Sequence, residues 1–203
     1  MSGDPAGAAR ERWNARYDAD AFEPFPAAPA EWLVEHRELL AGGAGRTAID
    51  VACGDGRNAR ALAELGFAVD AVDVSDVAIA RLRAAAAATG LQVDARAIDL
   101  EHDALPAAAY DVVVCMNYLQ RDLFGALGGA LRPGGLLLYE TFARAHVEKL
   151  GRTFNPAFVL GHNELLHAFG DLHVVHYREG VAERRGGPRG VASIVARRLA
   201  TRG

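Results

Sequence analysis

Between Ile49 and Leu62 the chain reads IDVACGDGRNARAL, which sets carboxylates, two glycines one residue apart and an Arg-Asn pair at the mouth of a run of helix formers. Gly54 and Gly56 lack Cβ, so backbone at this turn can approach a ligand closely. Ala59 adds a third small residue at the spacing of a dinucleotide-binding turn. About twenty residues on, Asp73 ends the apolar stretch FAVDAVDV, where one carboxylate is placed to accept from both hydroxyls of a ribose. These residues by themselves leave two ligands open: a nicotinamide dinucleotide serving an NAD(P)-dependent oxidoreductase, and some other ribose-bearing cofactor.

Further polar groups follow two later apolar runs. Tyr118 and Arg121 come after YDVVVCM in MNYLQRD, Glu140 and Thr141 close LLLYET, and His146 lies in the segment beyond. Arg121 has the planar fork that holds a carboxylate or oxyanion, and His146 is the titratable group placed to act as a base if an acceptor must lose a proton. No catalytic triad stands out. His162 and His167 are spaced to point different ways on a helix, as are His173 and His176 on a strand, so no metal site is expected. Cys53 and Cys115 each sit inside an apolar run as small core residues do, near the turn if their strands pair, where their oxidation would inactivate the protein. Arg184, Arg185, Arg189, Arg197, Arg198 and Arg202 read as a local basic patch on a solvated hairpin.

The elements needed to hold these groups alternate in type. TAIDVA, FAVDAVDV and LQVDARAID read as strands, with helices from Arg57 to Leu65 and from Ser75 to Ala88 between them. Ser75 is a good N-cap, Asp76 suits the positive end of the dipole, and Gly90 ends the second helix. YDVVVCM is a buried strand, LQRDLFGALGGAL a helix despite its glycines, and Pro133-Gly134-Gly135 a turn into the strand LLLYETF. Residues 143–161 form a loop long enough to be a lid or substrate loop, and NELLHAF a short helix. LHVVHYREGV and GVASIVARRLA make a terminal hairpin. The expected fold is α/β, Rossmann-like and doubly wound, with a seven-stranded, mostly parallel sheet and a C-terminal antiparallel hairpin. Ahead of it EWLVEHRELL reads as a helix ending at Gly42-Gly43. Residues 1–30, with Trp13, Tyr17, Phe22 and Phe25, form a partly mobile appendage or lid, leaving 31–203 as one domain.

With 203 residues, 51% of them hydrophobic, the chain is long enough to bury a substantial core. A formal net charge of -4 and a pI near 6.0 lack the footprint of a nucleic-acid binder. The N-terminal stretch has no apolar leader core, and no segment has the length that crosses a bilayer. A cytoplasmic monomer or dimer is expected, with no membrane or nucleic-acid partner.

Asp50 lies four positions before Gly54, and the resulting D-x-x-C-G-x-G resembles motif I of the class I S-adenosylmethionine-dependent methyltransferases. Asp99 in AIDLE falls where that family sets a side chain against the adenine amino group, and YDVVVCMNYL, the PGG turn and the terminal hairpin stand where the family has them. W-x-x-R-Y at Trp13–Tyr17, DVVVCMNYLQRDLFGALGGALRPGGLLLYETF and NPAFVLGHNELL are similar to the small bacterial tellurite-resistance and thiopurine-methyltransferase-like group, with Phe25-Pro26 in place of its Tyr-Gly pair. The resemblance implies methyl transfer from S-adenosylmethionine, leaving S-adenosylhomocysteine, to a small-molecule acceptor such as a thiol or metalloid. The cofactor-binding set it implies is Asp50, Cys53, Gly54, Gly56, Asn58, Asp73, Val74, Asp99, Leu100, Cys115 and Met116. Val74 and Leu100 would flank the adenine, and Asn58 would reach the methionine carboxylate. Tyr118, Arg121 and His146 remain the acceptor-side candidates. The alternatives are the oxidoreductase and a non-catalytic cofactor-binding protein.

Overall fold

The computed structural model describes residues 5–18, 28–152 and 155–200. The expectations attached to Phe22, Phe25, Pro26 and Arg202 lie outside the described residues. Seven strands form one sheet in the order β3-β2-β1-β4-β5-β7-β6. The strands are β1 (Thr47–Val51), β2 (Ala68–Asp73), β3 (Val93–Ala97), β4 (Tyr110–Met116), β5 (Leu131–Phe142), β6 (His173–Ala182) and β7 (Arg189–Arg197). All pairs from β3 to β5 are parallel, and β7 runs antiparallel to both β5 and β6. This is the expected architecture.

Period-two alternation divides the core. Ile49, Val51, Val113, Cys115, Leu137 and Tyr139 bury one face of the sheet, with α5 (Phe124–Ala130) and α7 (Glu164–Ala168) contributing Phe124, Leu127 and Leu165. Ala48, Val112, Val114, Leu136 and Leu138 bury the other, under α2 (Glu31–Glu35), α3 (Arg57–Glu64) and α4 (Asp76–Thr89) through Trp32, Leu33, Leu62, Ile79 and Leu82. Both faces are covered by helices, as a parallel sheet requires. The chain walks outward from β1 to β3 and then returns to β4 on the other side of β1. The crevice above the carboxyl ends of β1 and β4 is therefore the topological switch point, where such sheets bind ligands.

Three elements depart from expectation. The helix EWLVEHRELL stops at Glu35 and continues as a 3-10 turn, Arg37–Leu40. His36 Nδ1 takes the Trp32 carbonyl at 3.0 Å, and the His36 amide slips to Leu33. The Pro133-Gly134-Gly135 turn is an excursion within β5: Tyr110 pairs with Leu131, but Val112 pairs with Leu136. The 143–161 segment contains α6 (Ala145–Glu148) and a 3-10 turn at Pro156–Phe158, and its ends close on each other through the Ala143–Leu160 bridge. An additional helix, α1 (Pro5–Asp18), packs on α4.

Candidate active site

The turn after β1 is built by its two glycines in different ways. Gly56 is the N-cap of α3 at φ 82°, and a Cβ there would overlap the Leu82 side chain. Its small size lets α3 pack against α4, a steric demand on this glycine in addition to its left-handed backbone. Gly54, at φ 56°, is the glycine that faces the crevice, and a Cβ on it would overlap the Tyr17 hydroxyl. Ala59, fully buried, is the third small position and also serves helix packing.

Asp50 and Asp73 hold this turn from beneath and from the side. Asp50 is 1% exposed, and its Oδ2 accepts from the Ala59 amide at 2.9 Å while Oδ1 has no hydrogen-bond partner. Burial pushes its carboxyl up to about 7, against the pull of the Ala59 amide and the Arg57 guanidinium. Asp73, 8% exposed, accepts from the Gly54 amide at 2.8 Å and from the Ser75 amide at 2.9 Å, and burial raises its carboxyl as well. Ser75 then caps α4 by accepting from the Ala78 amide at 3.2 Å, as its sequence position predicts. Val74 is half-buried beside Asp73, and Leu100 is buried in the core across the crevice edge. Asp99 is also half-buried; its carboxylate takes His102 Nδ1 and the Glu101 amide, both at 3.0 Å, which organises the turn after β3.

The electrostatics distinguish the two ligands left open by the sequence. A pyrophosphate site presents the free amides of a helix N-terminus to an anion. Here the Asp50 carboxylate already occupies the Ala59 amide, and Asp73 and the half-buried Asp55 add negative charge around Gly54, against one buried cation, Arg57. A cradle of this sign repels phosphates and suits a cationic, phosphate-free group with a ribose. S-adenosylmethionine, with its sulfonium and ammonium, fits; a nicotinamide dinucleotide does not.

Other expected site residues have different surroundings. Asn58 is buried, and its Oδ1 accepts from the Ala30 amide at 2.9 Å, so it anchors the segment before α2. Cys53 and Cys115 are buried at the ends of the paired strands β1 and β4. Burial pushes both thiols well above their ordinary value and removes the thiolate that oxidation requires. Met116, 6% exposed, ends β4 beside them.

On the acceptor side the expected free groups are committed. The Arg121 guanidinium binds both Glu164 oxygens at 2.7 and 3.1 Å and the Ala157 and Val159 carbonyls at 3.1 Å, so it brackets the 157–164 segment and does not reach for an anion. His146 is on α6 and 4% exposed; its Nδ1 accepts from the Gly190 amide at 3.1 Å, and burial lowers its basicity. It packs against β7 and is not a mobile base. The Tyr118 hydroxyl donates to Gln120 at 2.8 Å, and burial raises its phenol. Glu140 is buried among Arg184 and Ser193. The arginine patch dissolves into separate ties: Arg184 to Glu140 and Glu35, Arg185 to Pro29, Arg197 to Gly134, and Arg198 to Gly129 and Leu131. His162 precedes α7 and pairs with Glu179 at 2.9 Å. Among the described residues no group of three or more His, Cys, Asp or Glu is arranged to hold a metal ion, and no helix is long and apolar enough to cross a membrane.

Sequence reasoning missed the placement of Tyr17 in the crevice. The signal was Trp13-x-x-x-Tyr17, an i,i+4 aromatic pair in a polar helix, with rings 6.4 Å apart.

Residues 48–135 match the family model described as a methyltransferase domain. A ubiquinone biosynthesis O-methyltransferase of Burkholderia multivorans is 33% identical over 119 residues, 56% of this chain and 50% of that protein. The chain thus spans about half the length of the curated relatives it matches. Among solved structures, the geranyl diphosphate C-methyltransferase of Streptomyces coelicolor A3(2), in complex with S-adenosyl-L-homocysteine, superposes with a TM-score of 0.70 at 16% identity, covering 98% of this chain and 100% of that one. TehB of Haemophilus influenzae superposes with a TM-score of 0.65 at 19% identity, covering 93% and 66%. At these identities the structural likeness speaks for the fold.

Proposed function

We propose that this chain, by fold and by its residues 48–135 one of the class I S-adenosylmethionine-dependent methyltransferases, catalyses methyl transfer to a small-molecule acceptor such as a thiol, metalloid or other small nucleophile. The observation that carries the reading is the sign of the cradle: Asp50 and Asp73 buried around Gly54 at the switch point, with the Ala59 amide in the first turn of α3 already used by Asp50. When bound, the cofactor supplies an electrophilic methyl on a sulfonium, and in-line displacement joins that methyl to the acceptor. The protein's task is then to position the two groups and to exclude water.

In this reading Asp73 binds the ribose hydroxyls, Gly54 admits the methionyl chain, Asp99 faces the adenine edge, and Val74 and Leu100 flank the ring. Asp50 lies behind the turn and sets its charge. The committed states of Arg121 and His146 support an acceptor that needs neither a fixed cation nor a dedicated base from those two residues. By their names, the curated relative above serves ubiquinone biosynthesis and the superposed structure is a geranyl diphosphate C-methyltransferase.

Calorimetry with S-adenosylhomocysteine and NAD, followed by transfer of a labelled methyl to thiols, phenols and metalloid oxyanions, tests the reading. Binding of S-adenosylhomocysteine and label transfer are expected. Binding of NAD alone would establish the oxidoreductase, and tight S-adenosylhomocysteine binding without turnover on any acceptor would establish a binding protein.

A further inference from the structure

Arg178, Arg184, Arg185, Arg197 and Arg198 each hold a carboxylate or a carbonyl, whereas Arg189, half-buried at the start of β7, makes no hydrogen bond or ion pair among the described residues. Its place is fixed all the same. The Gly190 amide donates to His146 Nδ1 at 3.1 Å, the Gly190 carbonyl accepts from the Ala143 amide at 3.0 Å, and a Cβ on Gly190 would overlap the His146 backbone, so β7 starts hard against α6. The Arg189 guanidinium lies beside Gly186 of the hairpin turn, with its carbon 5.9 Å from the centroid of the Phe142 ring. Because β7 is antiparallel to β5, its first residues stand at the carboxyl end of β5, one strand beyond the crevice above β1 and β4. Asp73 and Asp99, after β2 and β3, take the ribose and adenine to the other side, which leaves the space over β5 and β7 to an acceptor.

We propose that Arg189 selects the methyl acceptor: it binds a carboxylate that a small thiol or phenol carries apart from its nucleophilic atom. The inference rests on the reading of the crevice as the site of S-adenosylmethionine. Positive charge accumulates at this end of the sheet. Burial lowers the basicity of Arg57 and of His146, the charge of Arg189 adds to the effect on both, and Arg152 acts on His146 in the same sense. Of the acids at this end, Glu140 is spent on Arg184 and Ser193, and Glu31 on the Arg185 amide. A guanidinium so placed fits a carboxylate through two parallel hydrogen bonds, and the Phe142 ring covers one of its faces. Pairing with the attacking atom itself would hold that atom's electrons back from the methyl group. The bound anion is therefore a handle set apart from the nucleophile, and a metalloid oxyanion, whose charge sits on the reacting group, fits less well.

Calorimetry on the complex with S-adenosylhomocysteine compares mercaptoacetate with mercaptoethanol and para-hydroxyphenylacetate with para-hydroxyphenylethanol, pairs that differ in the carboxylate. In at least one pair the parent is expected to bind the acid about tenfold more tightly than the alcohol. Arg189→Gln is expected to bring that ratio within about twofold, with S-adenosylhomocysteine affinity and Tm as in the parent. Arg189→Lys, which keeps the charge without the planar fork, is expected to fall between. A parent that favours the acid in neither pair, whether it binds all four compounds or none, overturns the assignment. So does a ratio kept in Arg189→Gln, or a loss of S-adenosylhomocysteine affinity in that variant as large as its loss of the acid. Selenite that binds as tightly as the acids and is lost with them in Arg189→Gln would put the anion on the reacting group and overturn the separate handle. If the parent binds no S-adenosylhomocysteine, it is the methyltransferase reading that fails.

Discussion

The two halves of the crevice treat their buried charges in opposite ways. On the donor side, Asp50 keeps one oxygen without a partner, and Asp73 leans on the backbone amides of Gly54, Ser75 and Val74. On the acceptor side three acids have a partner of opposite charge or a hydroxyl: Glu140 has Arg184 and Ser193, Glu164 has Arg121, and Glu179 has His162 and Tyr177. Asp50 has the Arg57 guanidinium as its nearby counter-charge, and two carboxyls buried with so little positive charge are costly and are retained where a ligand adds more. Paired groups stabilise the loops and hairpin that they bridge. The contrast identifies the donor side as the place where capacity for a cationic ligand remains.

The largest expected effect is on pH dependence. The folded carboxyl of Asp50 titrates near 7, above its unfolded value of 3.8, so the folded state holds a proton that the unfolded chain has released. Stability from this group is therefore greatest below about pH 4, falls as pH rises toward 7, and levels off above it. The span corresponds to on the order of 4 kcal/mol at most. Urea unfolding at several pH values should show this fall in the parent and a flatter profile in Asp50→Asn, with the remaining slope in the same sense from Asp73. A parent profile that rises between pH 4 and 7 would contradict a donor side short of positive charge.

Next in size is Gly56→Ala, which combines a left-handed backbone with overlap onto Leu82, for an expected loss of about 2–4 kcal/mol. Gly90→Ala has a similar backbone, φ 67°, and open space, so about 1 kcal/mol is expected there. Equal losses at the two positions would remove the packing role given to Gly56. Asp73→Ala should lower S-adenosylhomocysteine affinity more than tenfold. Because it also orphans the Gly54 and Ser75 amides, it should lower stability by about 1–3 kcal/mol. An affinity within about threefold of the parent, less than 1 kcal/mol, would dismiss the ribose contact.

The smallest expected effect tests the acceptor side. Arg121→Ala and Glu164→Gln should each speed hydrogen exchange in residues 157–164 and leave S-adenosylhomocysteine affinity unchanged. A variant that instead raises KM for an anionic acceptor, with exchange unaltered, would return Arg121 to a binding role.

Local rules sufficed where chemistry is adjacent in the chain. Ser75 caps α4, Gly90 ends it, and alternation in YDVVVCM and LLLYE assigns side chains to the two faces of the sheet. Asp50, Gly54 and Asp73 were legible because a strand, a tight turn and a strand end fix their relative positions. Arg121 and His146 were misread because their partners, Glu164 and Gly190, lie 43 and 44 residues away. Nothing in the local pattern of a surface arginine or a loop histidine encodes a partner at that separation. The arginine patch failed likewise, since neighbours in the chain diverge to Glu140, Pro29, Gly134 and Leu131 once the hairpin docks.

What the amino-acid order determined by itself was the fold class, the turn after β1 and the carboxylate at the end of β2, all set by short-range sterics and the two periodicities of the backbone. Tertiary structure alone decided that Gly56 packs on Leu82 and Gly54 on Tyr17, and that Glu140 and Glu164 are paired with Arg184 and Arg121. Those outcomes depend on which surfaces meet when helices dock on the sheet, and burial and charge pairing acquire their sign only at that step.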